Sequence, residues 1–119
     1  MSRARVDTAL AALAEPTRRA VVELLVRRPH RAGELAEALG MSPPALSRHL
    51  RVLKASSLVA DDEPEHDARV RLYRLRREGF EPVSDWVDEV RSLWTDQLDA
   101  FKEHVERRAR ERRASRGRR

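Results

Sequence analysis

Residues 40–58 read GMSPPALSRHLRVLKASSL, and two adjacent prolines stand at the head of a segment whose leucines otherwise keep helical time. Proline has no N–H to donate and its ring holds φ near the helical value. It therefore suits the first turn of a helix, where the N–H groups lack partners anyway. Ser42 just before the prolines is a good N-cap, its hydroxyl able to accept from those free N–H groups. Gly40 suits the left-handed residue that closes a preceding helix. The stretch reads as a helix end, a short turn and a helix start.

Outward from this turn the pattern stays helical on both sides. Behind it, AGELAEAL places Ala32, Leu35, Ala36 and Leu39 on one face of a compact helix ended by Gly40. Further back, Pro16 opens a helix with Ala20, Val21, Leu24 and Leu25 inside, and Pro29 closes it. VDTALAALA makes a first short helix over about residues 7–14, capped by Asp7, with Leu10 and Leu13 facing inward. Ahead of the turn, Leu46, Leu50 and Leu53 line the buried side of a helix over about residues 43–56.

After Ser57 the period changes to two. LVA and RVRLYRL read as strands joined by the loop DDEPEHDA, which contains Pro64 and Asp67. A helical period returns at about Phe80 and persists for roughly 30 residues, to about residue 110, well beyond an average helix. The expected fold is mainly α with a small β-hairpin, in the order α-α-α-α-β-β-α.

Composition narrows the function classes. The 119 residues hold 4% aromatic and 38% charged side chains and no cysteine. One domain of this size has modest core material, and small domains often make up the shortfall by association. Without cysteine there are no disulfides and no thiolate metal sites, and an intracellular, cytoplasmic address is favoured. No apolar leader and no run of membrane-spanning length occurs, so no membrane partner is expected. Net charge is +5, but residues 107–119 (RRARERRASRGRR) carry eight arginines and one glutamate. The rest of the chain is net −2. The domain therefore reads as residues 1–106, followed by an Arg-rich, flexible tail at 107–119. Such a run is commonly a solvated segment, and it is also suited to non-specific phosphate contact.

A helix, a glycine-containing turn and a second helix form the helix-turn-helix unit, whose second helix enters the DNA major groove. Ala36 is the small residue where the two helices approach, and Leu46 anchors the second. With Leu46, Leu50 and Leu53 inward, Pro44, Ser47, Arg48 and Arg51 form the opposite stripe at i, i+3, i+4 and i+7. The prolines thus start the helix rigidly at the end that meets base edges. Arg48 can pair with guanine N7 and O6 through two hydrogen bonds, and Ser47 can serve a base or a phosphate. Ser42, Pro43 and Lys54 complete the candidate surface on this helix. Arg69, Arg71 and Arg74 on the hairpin could meet phosphates or the minor groove. Asp61, Asp62, Glu63, Glu65 and Asp67 make the hairpin unusually acidic for a neighbour of DNA.

LAEPTRRAVVELL, AGELAEALGMSPPALSRHLRVLKASSLV, RLYRL and a Trp-containing last helix together resemble the ArsR/SmtB transcriptional regulators, in particular members without cysteine. The likeness covers roughly residues 7–106. It implies a winged helix-turn-helix homodimer, paired through its first and last helices, that represses transcription by occupying operator DNA. The family's DNA-reading positions fall on Pro43, Pro44, Ser47, Arg48 and His49. Two departures stand out. Ser57 occupies the place of a usual glycine after the reading helix, and the hairpin is acidic where the family's is basic.

The apolar residues expected to mediate pairing are Leu10, Leu13, Val83, Trp86, Val87, Val90, Leu93, Trp94, Leu98, Phe101 and Val105. Those of the last helix exceed what four short helices can cover. The family's metal sensors use a Cys-x-Cys pair or an Asp/His/Glu set in the last helix. This chain has no cysteine, and that helix offers Asp96, Asp99, Glu103 and a single His104, so no metal or other cofactor is expected. His30 and His66 read as exposed loop residues. Ser47 and His49 lie two apart on a helix and face different ways, so no nucleophile–base pair forms and no enzyme is expected. The leading reading is a homodimeric repressor reading a palindromic operator in double-stranded DNA, its effector or partner protein undefined. The alternatives are a winged-helix protein-interaction module and a metal-responsive repressor with a last-helix site.

Overall fold

In the computed structural model, which describes residues 3–62 and 70–117, the chain runs α1 (Arg3–Leu13), α2 (Pro16–Arg27), β1 (His30–Arg31), α3 (Ala32–Leu39), α4 (Pro43–Ala55), β2 (Val59–Asp61), β3 (Leu72–Leu75) and α5 (Arg77–Gly117). It divides into two units, one up to Ser84 and one from Asp85.

The first unit is built around the turn between α3 and α4. α3 closes on Gly40, whose φ of +62° is left-handed, and the Ser42 hydroxyl accepts from the Ala45 N–H at 3.3 Å. Leu46, Leu50 and Leu53 of α4 pack with Val21 and Leu25 of α2, Leu35 of α3, and Leu58, Val59 and Tyr73 around the sheet. Burying an aliphatic side chain of this size is worth about 1.5–3 kcal/mol, so this cluster holds α2, α3 and α4 to one another. Phe80 and Val83, at the start of α5, also pack against it.

The hairpin is present, and a third strand joins it. β3 lies between β1 and β2 and pairs antiparallel with both, with His30 opposite Tyr73 and Val59 opposite Leu75. His30, expected as an exposed loop residue, is buried in β1 with its Nδ1 2.8 Å from the Arg28 carbonyl. Two residues are too few to show alternation, which is why β1 left no periodic signal. His66 lies outside the described residues.

α1 also differs from its expected form. It starts at Arg3, so Asp7 is inside the helix rather than at its cap, and Val6, Ala9 and Ala12 form the buried face. Leu13 packs partly against the core, whereas Leu10 faces outward. α5 begins at Arg77 and continues through Gly117, beyond the expected end near residue 110. Arginine, glutamate and alanine are strong helix formers, and Glu103/Arg107 and Glu106/Arg110 stand at the favourable i, i+4 spacing. In the second unit, Trp86, Val90, Leu93, Trp94, Leu98, Phe101 and Val105 are all exposed.

Ser57, which follows α4, has a φ of +61°. The Ser57 N–H donates to the Lys54 carbonyl and the Leu58 N–H to the Leu53 carbonyl, at 3.1 and 3.0 Å. These two bonds satisfy the last carbonyls of α4 in the paired pattern that places a left-handed residue after a helix, a place that favours glycine. Ser57→Gly is therefore expected to raise stability by about 0.5–1 kcal/mol, the relief of left-handed strain exceeding the extra freedom of the unfolded chain. Urea titration of both proteins checks this, and a lowered midpoint would contradict it.

Candidate nucleic-acid interface

α4 presents Ser42, Pro43, Pro44, Ser47, Arg48 and Arg51 to solvent while Leu46, Leu50 and Leu53 face the core. Pro43 and Ser47 also border a small apolar pocket of about 190 Å³ between α3, α4 and Tyr73. Arg48 and Arg51 make no hydrogen bond or ion pair within the described residues. Both guanidiniums are thus available to an incoming acceptor without first breaking an internal contact.

The other expected site residues of α4 are drawn elsewhere. His49 is half-buried and turned toward the start of α2. There Arg18 Nη1 lies 3.4 Å from its Nδ1, and the Glu15 carboxylate lies 3.8 Å away. Glu15 also caps α2 by accepting from the Arg18 N–H at 2.9 Å. Burial pushes the Glu15 carboxyl up, but hydrogen bonds and the charge of His49 together hold it below the usual carboxylate range. Lys54 donates to the Asp61 carboxylate at 2.8 Å, and Arg71 Nη1 lies 3.6 Å from the other carboxylate oxygen. That side chain is only 5% exposed, although aspartate is normally a surface residue. The Lys54 hydrogen bond, opposed by burial, holds Asp61 below the usual range. Asp62 pairs with Arg74 at 3.0 Å. Two of the five hairpin acids are therefore committed to basic partners. Arg69, Glu63, Glu65 and Asp67 lie outside the described residues.

Two arginines outside the helix-turn-helix motif, Arg18 and Arg19, fix the entry to this unit. Arg18 Nε donates to the Ala12 carbonyl and Nη2 to Ala11, while Arg19 Nη1 donates to Leu13 and Ala14 at 2.8 and 3.0 Å. They satisfy carbonyls at the C-terminal end of α1, where cations are favoured. The doublet after Pro16 was visible in the sequence, but its acceptors are backbone atoms that no side-chain pattern reveals.

No group of three or more His, Asp or Glu side chains that could hold a metal gathers among the described residues. Asp96, Asp99, Glu103 and His104 are exposed along α5. None of the described helices is long and apolar enough to cross a membrane.

Residues 15–61, from the cap of α2 to the end of β2, match the family of bacterial regulatory proteins, arsR family. The HTH-type transcriptional regulator Rv2034 of Mycobacterium tuberculosis is 40% identical over 100 residues, covering 84% of this chain and 88% of that one. Among solved structures, the ArsR family transcriptional regulator RHA00566 superposes with a TM-score of 0.71 at 32% identity, covering 80% of this chain and 95% of that one. The homodimeric winged helix-turn-helix DNA-binding domain Mb0332 of Mycobacterium bovis superposes with a TM-score of 0.57 at 25% identity, covering 74% and 79%. These relatives are regulators of transcription rather than enzymes. The hairpin beside α4 is accordingly the wing, and the chain belongs to the ArsR family of winged helix-turn-helix, DNA-binding transcriptional regulators.

Proposed function

We propose that this regulator is a cytoplasmic homodimeric repressor that occupies a palindromic operator, each protomer laying α4 in a major groove. One observation carries the reading. The exposed stripe of α4 holds two guanidiniums, Arg48 and Arg51, without internal partners among the described residues, beside a helix start fixed by Ser42, Pro43 and Pro44. Arginine reads guanine through two parallel hydrogen bonds, and a proline start holds the N-terminal turn in one conformation. Dimerisation draws support from the exposed apolar side chains of α5 and from the homodimeric state of the Mycobacterium bovis relative. Two-fold pairing would set half-sites about one helical turn, roughly 34 Å, apart. The Arg-rich end of α5 adds phosphate contacts that are blind to sequence.

The test is duplex binding by fluorescence anisotropy, on an operator selected from random duplexes and on an unrelated duplex, across a salt series. Arg48→Ala is expected to cost about 1–3 kcal/mol on the operator and to relax its sequence preference. Removing residues 107–119 should weaken both duplexes about equally and flatten the salt dependence. If the truncation changed sequence preference while Arg48→Ala did not, readout would lie outside α4. Absence of any salt-dependent duplex binding would favour a protein-docking role for the same helix.

A further inference from the structure

Asp61 is an acid placed inside a cationic surface. It stands two residues after the buried Val59 on β2, so strand alternation turns it inward rather than toward the hairpin tip. Its side chain is 5% exposed and meets a cation from each neighbouring element: Lys54 from the last turn of α4 at 2.8 Å, and Arg71 from the residue before β3 at 3.6 Å. Its Oδ2 is buried and accepts no hydrogen bond within the described residues. A carboxylate so placed costs free energy unless its charge is met, so the arrangement holds the Lys54 ammonium tightly.

We infer that Asp61 withholds Lys54 from the DNA backbone and so lowers the sequence-independent part of the affinity. The inference rests on the DNA-binding role of α4 proposed above. Lys54 lies six residues beyond Arg48, near the C-terminal end of the reading helix, a position suited to phosphate rather than bases. A phosphate approaching it must compete with a carboxylate already bound and is repelled by that charge. Phosphate contacts raise affinity for every sequence alike, so suppressing one lowers binding to operator and non-operator duplexes by the same factor, while base contacts from Arg48 remain.

Asp61→Asn keeps the shape and removes the charge. On a non-operator duplex near 0.1 M salt it should bind about five- to ten-fold tighter per protomer in contact, with a log–log salt slope steeper by about 0.9, the value for one phosphate gained. The operator should gain by the same factor, leaving the operator-to-random ratio unchanged. Adding Lys54→Met in the Asp61→Asn background should abolish the gain. A slope unchanged in Asp61→Asn, in a variant whose circular dichroism and melting match the parent, would overturn the inference and leave Asp61 a tie between strand and helix.

A second measurement uses the unaltered protein and does not depend on any variant folding. Lys54 and Lys102 are the two lysines of the chain, so their ammonium nitrogens are readily resolved by NMR. The Lys54 signal should hold its position when a non-operator duplex is added in excess. A shift tracking duplex saturation would show the ammonium already on phosphate and would refute the withholding role. If the unaltered protein bound no duplex at all, the DNA-binding reading itself would fall, and this inference with it. Binding that persists with an unchanged Asp61→Asn slope removes only the inference.

Discussion

Trp94→Glu is expected to leave a folded monomer that has lost operator binding. Trp94 is 64% exposed on α5, between Val90 and Leu98, each one helical turn away. At 100° per residue, the exposed apolar side chains from Trp86 to Val105 fall within one arc of about 140°, a broad stripe of the kind a helix buries against a partner. Monomeric proteins rarely expose so continuous an apolar band, and tryptophan near the centre of an interface is a common energetic anchor. In the proposed two-fold pairing the substitution enters the interface twice. Losing an anchor worth about 2 kcal/mol or more in each copy, with a carboxylate in its place, should raise the dissociation constant of the dimer by at least about 1,000-fold. Operator affinity should fall by at least about 100-fold, because the second half-site no longer benefits from the effective concentration that linkage provides. The side chain is already in solvent within the protomer, so helix content should be preserved. Light scattering at about 10 µM, with circular dichroism as the control, decides the matter. A dimer that persisted in Trp94→Glu would place the pairing surface away from this stripe.

The same residues show which parts of the fold were legible. Gly40, Ser42, Pro43 and the leucines of α3 and α4 are local signals: each acts on its own backbone or on a neighbour within one turn, so the helix-turn-helix could be read directly. Signals that depend on distant partners were not readable in the same way. His30 is buried because β1 pairs with Tyr73, and a two-residue strand has no period of its own. Asp7 resembled a cap because aspartate favours that position, yet α1 runs through it, with Val6 already buried. Ser57 stands at a place that favours glycine, and its backbone holds the left-handed conformation with serine there.

The candidate site divides along the same line. The exposed stripe of Ser47, Arg48 and Arg51 follows from helical spacing alone. Whether a basic side chain is available, however, depends on acids brought near by tertiary structure. Lys54 and Arg71 resembled Arg48 in sequence, but both meet Asp61. Strand alternation held part of that information, since Asp61 shares a face with Val59. The five acids read as a hairpin cluster because charge runs usually mark solvated loops, and that average hides the one residue turned inward.

Gly79→Ala is expected to be severely destabilising although it replaces glycine by the best helix former. Gly79 lies in the first turn of α5, where a Cβ would overlap the Ser57 carbonyl and approach the Leu58 Cα to 3.2 Å. The atoms it would meet are backbone, and that backbone is held from several directions. Ser57 and Leu58 donate to carbonyls of α4, the Leu58 carbonyl accepts from the Arg76 N–H at 2.9 Å, and the Leu58 side chain is fully buried. Neither side can yield without breaking the close of α4 or the start of α5. Alanine gains about 1 kcal/mol in helix propensity over glycine, but overpacking of this kind costs about 1–3 kcal/mol and more where backbone must move. The carbonyl overlap puts this site at the upper end, for a net loss of about 2–4 kcal/mol and a melting temperature lower by roughly 10–20 °C. Gly117→Ala is the matched control, since a Cβ there meets nothing within 4 Å, and it should be neutral or slightly stabilising. Thermal melts of the two variants beside the parent separate the effects. A Gly79→Ala protein melting within about 2 °C of the parent would mean that α5 can shift away from Ser57 at little cost, a freedom the hydrogen bonds around Leu58 argue against.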